Sequence, residues 1–122
     1  MLDNNVRYLQ LAFNDDLRLA RAILPRIVPD PRIMIEAGTP FVKREGMAGL
    51  RLLARSWPGI VVADIKVSDG ALGEVDMAAQ AGAKAVTALG LAPVETLRLF
   101  VERCKQYGIL SMIDMLGVEE PL

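Results

Sequence analysis

The sequence predicts an α/β fold organised around a parallel β-sheet, and three observations lead to that prediction. Apolar runs of strand length recur along the chain at intervals of roughly 25 residues. The segments between them place apolar residues at helical spacing and carry helix-capping residues, which is the alternation typical of βαβ units. No linker, low-complexity tract or block of like charge divides the 122 residues, so we expect a single domain over residues 1–122.

Five strands are predicted from the apolar runs, and four helices lie between them. The third run, Ile60 to Ala63, is rich in β-branched residues, as a strand covered on both faces requires. The predicted strands are Tyr8–Phe13, Arg32–Ile35, Ile60–Ala63, Ala85–Leu89 and Ile109–Ile113. The predicted helices run from Asn14 or Asp15 to Leu24, just before Pro25, and over Glu45–Ser56, Glu74–Gln80 and Val94–Gly108.

The last predicted helix indicates which side chains face the sheet. Val94, Leu97, Val101 and Cys104 recur at helical spacing, so we expect them to point toward the core. Cys104 is therefore predicted to be a core residue rather than a reactive thiol. Because it is the single cysteine of the sequence, an internal disulfide is excluded, and the sequence fits a reducing compartment.

Composition and charge exclude several classes of function. The net charge is -1 and the basic residues are scattered along the chain, which argues against nucleic acid or an anionic membrane as a partner. No apolar run approaches the ~20 residues that a membrane span needs, and the first residues carry no secretory signature, so we expect a cytoplasmic protein. Histidine is absent, so carboxylates and lysine must carry any acid-base chemistry.

Polar side chains stand where the predicted strands end. In parallel α/β folds the ligand binds at the carboxyl ends of the strands, so polar residues at these positions mark a candidate site. Their recurrence at one end of several strands favours a functional site over an isolated ion pair. The residues are Asn14 and Asp15 after the first strand, Glu36 after the second, Asp64 and Lys66 after the third, Thr87 in the fourth and Asp114 after the fifth.

The third strand carries the strongest signal for chemistry. Strand side chains alternate, so Asp64 and Lys66 are expected on one side, close enough to influence each other's protonation. Neighbouring strands lie about 4.8 Å apart, so Glu36 and Asp64 can hold one Mg²⁺, which prefers oxygen ligands. Lys66 would then act beside the bound substrate as an electrophile or proton donor. The alternatives are a structural ion pair for Asp64 and Lys66, and a turn or helix cap for Asp69, which precedes Gly70.

Two motifs resemble a known family. Asp64-Ile65-Lys66-Val67-Ser68-Asp69 is similar to the Asp-x-Lys-x-x-Asp signature of the orotidine 5'-monophosphate decarboxylase superfamily, whose members are (β/α)8 barrels of the TIM type. Glu36-Ala37-Gly38-Thr39-Pro40 resembles the Glu-x-Gly-Thr-Pro of its hexulose-6-phosphate synthase and 3-keto-gulonate-6-phosphate decarboxylase branch. Orotidylate decarboxylases carry a lysine where Glu36 stands. Further similarity runs from Glu74 to Val118, so the resemblance covers nearly the whole chain.

The resemblance implies catalytic roles for Asp64, Lys66, Asp69 and Asp114, and a metal-binding role for Glu36. Glu36 and Asp64 would bind Mg²⁺, and Lys66 would stabilise an enediolate. Asp69 would reach across a homodimer interface into the partner's site. Asp114 matches an active-site acid on the fifth strand.

The resemblance also implies a sugar-phosphate substrate. We expect Glu36, Thr39 and Thr87 to contact it, together with Asn14, which stands where the family usually has an aspartate. The implied reaction is that of an aldehyde-lyase of the hexulose-phosphate synthase type. It adds formaldehyde to ribulose 5-phosphate, or reverses that addition, through a Mg²⁺-stabilised enediolate.

Only part of a barrel is expected from this sequence. The chain supplies about four βα units and a fifth strand, whereas a closed eightfold barrel takes about 250 residues. The family binds substrate phosphate with loops after the seventh and eighth strands. We therefore expect dimerisation or a complementary chain to complete or cover the half-barrel. The alternatives are a half-barrel that dimerises without turnover, and a related sugar-phosphate or orotidylate decarboxylase.

Overall fold

A computed structural model describes residues 2–121 and contains the parallel sheet that the sequence predicts. Its five strands pair in the order β1-β2-β3-β4-β5, and every pairing is parallel. One α-helix connects each strand to the next, and a short 3-10 helix, Leu24–Arg26, follows the first of them, so the α/β class and its four βα units are confirmed. The strands are β1 Leu9–Phe13, β2 Ile33–Ala37, β3 Val61–Val67, β4 Ala85–Leu89 and β5 Leu110–Asp114. The helices are α1 Leu17–Ile23, α2 Thr39–Ser56, α3 Ala71–Gln80 and α4 Val94–Tyr107.

The helices cover one face of the sheet and leave the other face for the candidate site. Strand residues such as Ile35, Ala63 and Val86 are fully buried with the helix residues Phe41 and Phe100 in the main core cluster. Alternate strand residues point to the opposite, inner face, as the period of two requires. There a smaller apolar layer is formed by Met34, Val62 and Ala85, with Tyr8, Leu110 and Met112 packed against it. A single-wound parallel sheet with its helices on one face is an arc of a barrel.

The start of α1 and the extent of α2 differ from the sequence prediction. The N-cap of α1 is Asp16, whose side chain accepts a hydrogen bond from the Leu19 N–H at 2.9 Å, and not Asn14 or Asp15. The second helix was expected at Glu45–Ser56 but begins at Thr39, where Pro40 suits a first helical turn.

A break inside α2 explains why only its second part is visible in the sequence. Gly46 adopts φ 61° and ψ -161°, so α2 consists of two helical pieces that meet at this residue. That backbone region is essentially restricted to glycine. No atom lies within 4 Å of the position that a Gly46 Cβ would take, so the backbone conformation alone demands glycine.

Two further elements begin or extend differently from the prediction. Helix α3 begins at Ala71 rather than Glu74, with Gly70 at its N-cap. Strand β3 continues to Val67, so Asp64 and Lys66 lie inside the strand and not beyond its end.

Helix α4 faces the sheet with only part of the predicted set of residues. Val94 and Val101 are exposed, and the buried side chains are Phe100 and Cys104. Leu97, which is partly buried, packs against the same core, so the buried face follows the spacing 97, 100 and 104. The prediction for Cys104 is confirmed: it is fully buried, and burial raises the pKa of its thiol to about 11.

No helix among residues 2–121 is both long enough and apolar enough to cross a membrane. The expected domain spans residues 1–122, and its terminal residues Met1 and Leu122 lie outside the described part of the chain.

Replacing Phe100 tests the core between α4 and the sheet. Phe100→Ala leaves a large cavity among fully buried neighbours, so we expect the free energy of unfolding to fall by about 3–5 kcal/mol in urea titrations. Val94→Ala, at an 83% exposed position of the same helix, is the control and should change it by less than about 0.5 kcal/mol. Equal losses for the two variants would contradict the assignment of the buried face.

Candidate active site

The polar side chains of the inner face meet in one cleft at the carboxyl ends of the strands. The cleft has a volume of about 280 Å³ and lies beyond the apolar layer of the same face. Residues from all five strands contribute to it. Its polar lining consists of Gln10 from β1, Glu36 from β2, Asp64 and Lys66 from β3, Thr87 from β4 and Asp114 from β5.

Asp64 is the most buried acid of the cleft, with 7% of its surface exposed. Its Oδ1 accepts a hydrogen bond from the Thr87 hydroxyl at 2.8 Å. Its Oδ2 accepts bonds from the Thr39 hydroxyl at 2.8 Å and from the Lys66 ammonium at 2.6 Å. Burial alone would raise the pKa of the Asp64 carboxyl, but these hydrogen bonds and the charge of Lys66 outweigh burial and lower the pKa. Asp64 is therefore held as a carboxylate.

Lys66 connects the acids of β3 and β5. Its Nζ lies 2.6 Å from Asp64 Oδ2 and 3.0 Å from Asp114 Oδ2, and it also donates a hydrogen bond to the Thr39 hydroxyl at 3.2 Å. Burial alone would lower the pKa of the Lys66 ammonium, but the hydrogen bonds and charges of the two aspartates raise it above its ordinary value. Lys66 is thus a charged hydrogen-bond donor rather than a base. The expectation that Asp64 and Lys66 share one side of the strand is confirmed.

The backbone at Lys66 departs from regular strand geometry. β3 pairs with β4 through Ala63 and Val86, and the next pair along the strands is Val67 and Ala88, so β3 uses two more residues than β4 over this interval. Lys66 itself has a φ of 47°, which only a few non-glycine residues adopt and which costs of order 1–3 kcal/mol. Bulges of this kind often occur beside active sites, where they redirect a side chain.

Glu36 faces the same cleft from the neighbouring strand. It pairs with Val62 in the sheet register, so Asp64 stands two residues further along β3 on the same side. Glu36 Oε2 accepts a short hydrogen bond from the Gln10 side chain. Gln10 was not predicted from the sequence as a site residue. A polar residue within the apolar run of β1, at an inward position, was the signal that could have found it.

The two carboxylates fit a divalent cation by the chemistry of their donors. Asp64 Oδ1 accepts a single hydrogen bond and keeps one lone pair, and among residues 2–121 the second oxygen of Glu36 accepts none. The cleft sets three carboxyl groups, including that of Asp114, against the single ammonium group of Lys66. No three acidic, histidine or cysteine side chains of residues 2–121 are grouped as a complete metal cage. Mg²⁺ suits such a pair because it usually takes one or two carboxylates and completes its shell with water and substrate oxygens.

The remaining predicted site residues lie at different distances from this cleft. Thr39 lies next to the cleft and is hydrogen-bonded to Asp64. The hydroxyls of Thr39 and Thr87 both bond to Asp64, so substrate contact by either residue stays a prediction. Asn14 lines a separate depression beside α1, and its Oδ1 is 1.9 Å from the point where a Gly38 Cβ would stand. Asp69 is exposed and lines a third depression at the start of α3.

This architecture defines a class of protein. A parallel sheet with helices on one face and an acid–lysine cluster at the carboxyl ends of its strands is part of a (β/α)8 barrel, the fold that builds its sites at that end. The sequence profile of the orotidine 5'-phosphate decarboxylase / HUMPS family matches residues 9–122, and the chain belongs to that family.

Several known proteins are similar to this chain. The bifunctional enzyme Fae/Hps of Methanothrix thermoacetophila is 42% identical over 117 residues, which are 94% of this chain and 30% of that protein. The crystal structure of 3-hexulose-6-phosphate synthase from Salmonella typhimurium has a TM-score of 0.87 at 34% identity, covering 93% of this chain and 54% of that one. The 3-keto-L-gulonate-6-phosphate decarboxylase of Vibrio cholerae has a TM-score of 0.80 at 27% identity, with 88% and 50% covered. The chain thus spans about a third of the first protein and about half of each of the other two.

The pH dependence of stability tests the environment of Asp64. Because folding lowers the pKa of this carboxyl, its ionised form stabilises the folded state above the unfolded pKa of about 3.8, and that contribution is lost as the pH falls through the folded pKa. Lys66 stays charged throughout this range. We therefore expect the difference in unfolding free energy between the wild type and Asp64→Asn to be constant near neutral pH and to shift against the wild type below about pH 4. A difference that is constant down to pH 2 in urea titrations would contradict this environment.

Proposed function

We propose that this chain supplies the carboxylates and the lysine of a Mg²⁺-dependent aldehyde-lyase of the 3-hexulose-6-phosphate synthase type. The proposed reaction joins formaldehyde and ribulose 5-phosphate into hexulose 6-phosphate, or cleaves that product. The observation that carries the proposal is the Lys66 ammonium held between Asp64 and Asp114 in a cleft that Glu36 also lines. The 34% identity to a 3-hexulose-6-phosphate synthase of known structure supports it.

The charge state of Lys66 suits the chemistry of an enediolate. Cleavage of the hexulose phosphate leaves electrons on the ketose fragment, and the resulting enediolate oxygens need hydrogen-bond donors and positive charge. A charged Lys66 provides both, and the two aspartates keep it charged and fix its direction. Mg²⁺, when bound by Glu36 and Asp64, would supply further positive charge beside the same oxygens.

Two other functions follow from specific observations. A half-barrel that dimerises without turnover is favoured by the sheet edges: within residues 2–121, β1 pairs only with β2 and β5 only with β4. A sugar-phosphate decarboxylase is favoured by the similarity to the 3-keto-L-gulonate-6-phosphate decarboxylase structure. Product analysis separates these alternatives from the proposed reaction. An enzyme of the synthase type releases formaldehyde, a decarboxylase releases CO₂, and a half-barrel without turnover releases neither.

Activity measurements with and without Mg²⁺ test the proposed reaction. We expect formaldehyde release from hexulose 6-phosphate that EDTA abolishes and Mg²⁺ restores. Glu36→Gln should raise the Mg²⁺ concentration for half-maximal rate by about 10- to 100-fold, because it removes a charged ligand. Glu102→Gln makes the same chemical change on the exposed surface of α4, where Glu102 pairs with Arg98, and should leave the rate unchanged. A metal-independent rate, or none at high protein concentration, would refute the proposal.

We further propose that Asp69 acts in the cleft of a second copy of the chain. Asp69 stands outside the cleft of its own chain, at the start of α3. Beside it the side chains of Leu72 and Met77 are about half exposed and line the same depression. Exposed apolar groups next to a functional acid are typical of a subunit interface.

Complementation between inactive variants tests this arrangement. Lys66→Ala and Asp69→Asn should each be nearly inactive alone. If Asp69 serves the partner's cleft, a mixed dimer contains one intact site, so an equimolar mixture after subunit exchange should recover about one quarter of wild-type activity. Mixing Lys66→Ala with Asp64→Asn is the matched control and should recover none, since both changes affect the same cleft. No recovery in the test mixture, or equal recovery in the test and control mixtures, would contradict the proposal.

A further inference from the structure

We propose that Thr87 is a positioning residue, which holds the bulged backbone of β3 and thereby aims Lys66 at Asp64. The inference rests on the proposed function in one respect, because that function names the reaction served by the Lys66–Asp64 pair. Its structural part concerns only the geometry of β3 and β4.

Thr87 lies opposite the irregular part of β3. The register passes from the pair Ala63–Val86 to the pair Val67–Ala88, so Thr87 is the one β4 residue that faces the intervening residues of β3. Regular ladder bonds are interrupted at such a bulge, yet buried backbone N–H groups need acceptors. The N–H of Lys66 finds one in the Thr87 hydroxyl, at 2.9 Å. A side-chain oxygen thus replaces a strand carbonyl.

The same hydroxyl also holds the partner of Lys66. Thr87 Oγ1 donates its hydrogen to Asp64 Oδ1 at 2.8 Å while it accepts from the Lys66 N–H. A hydroxyl has one hydrogen and two lone pairs, so the two bonds form at once. Thr87 Oγ1 therefore links the backbone of Lys66 to the Asp64 carboxylate, which is also the hydrogen-bond acceptor of the Lys66 ammonium group.

Burial and backbone strain make this link important. Thr87 is 6% exposed, so water has little access to replace its hydroxyl. Lys66 has a φ of 47°, a conformation that persists only where surrounding contacts fix it. The hydrogen and one lone pair of the Thr87 hydroxyl are already engaged within the chain. This suits a positioning role better than the substrate contact that the sequence predicts.

Two variants of Thr87 separate the hydroxyl from the volume of the side chain. Thr87→Val keeps the shape and loses the hydroxyl, whereas Thr87→Ser keeps the hydroxyl and loses a methyl group. Thr39→Val is the matched comparison, because it removes a hydroxyl from Asp64 and from the Lys66 ammonium group but leaves the acceptor of the Lys66 backbone N–H in place.

The first measurement is hydrogen exchange of the Lys66 amide by NMR in the full chain. Thr87→Val should speed this exchange by about tenfold, and Thr87→Ser and Thr39→Val should stay within about threefold of the wild type. Melting temperatures of the variants show whether a change is global. An unchanged Lys66 exchange rate in Thr87→Val, or a rate that follows global stability, would overturn the proposal.

The second measurement is turnover of hexulose 6-phosphate with saturating Mg²⁺. Thr87→Val should lower kcat by about 10- to 100-fold with a small change in KM, and Thr87→Ser should restore kcat. A rise in KM at constant kcat would mean substrate contact and would overturn the positioning role. If the wild type shows no turnover, the proposed function fails, and the exchange measurement still decides whether Thr87 holds the bulge.

Discussion

The buried carboxylate of Asp64 is the group on which the carboxyl end of this sheet depends. An ionised carboxylate out of water is stable only when hydrogen-bond donors and an opposite charge surround it. The chain meets this demand with Thr39 from the start of α2, Thr87 from β4 and Lys66 from its own strand. Because each donor comes from a different element, the position of Asp64 fixes how β3, β4 and α2 meet. Within residues 2–121, no buried side-chain nitrogen or oxygen lacks a hydrogen-bond partner.

The chemistry of the cleft follows from the same demand. A lysine between two aspartates has a raised pKa and remains an ammonium group, which excludes it as a general base at neutral pH. With no histidine in the sequence, the cleft offers carboxylates and one fixed cation. The fixed cation suits the stabilisation of negative charge that develops on a substrate oxygen, and the chain has no imidazole to act as a general base. The local electrostatics of the cleft thus favour the stabilisation of a developing anion.

Patterns with a simple period were predictable from the sequence, and contacts between distant residues were not. Alternation placed Asp64 and Lys66 on one side of β3, and the recurrence of apolar runs gave the parallel sheet. The bulge at Lys66 was invisible, because it depends on a hydroxyl that is 21 residues away. Leu97 and Cys104 face the core as predicted, but Val94 and Val101 are exposed. The prediction failed there because these two valines fit a helical period as well as Phe100 does. Gln10 was missed although its polar side chain interrupts the apolar run of β1, because its partner Glu36 lies on the next strand, 26 residues away.

The glycine inside α2 joins the part of the helix that serves the cleft to the part that fills the core. The piece of α2 before Gly46 carries Thr39, which bonds Asp64, and Glu45, whose side chain accepts from the Leu17 N–H at the start of α1. The piece after Gly46 buries Leu50 and Leu53 in the core. Phe41 of the first piece is buried in the same core cluster, so the two pieces share their packing. A side chain at position 46 would oppose the backbone conformation that joins them, so a change at this one residue would disturb the cleft and the core together.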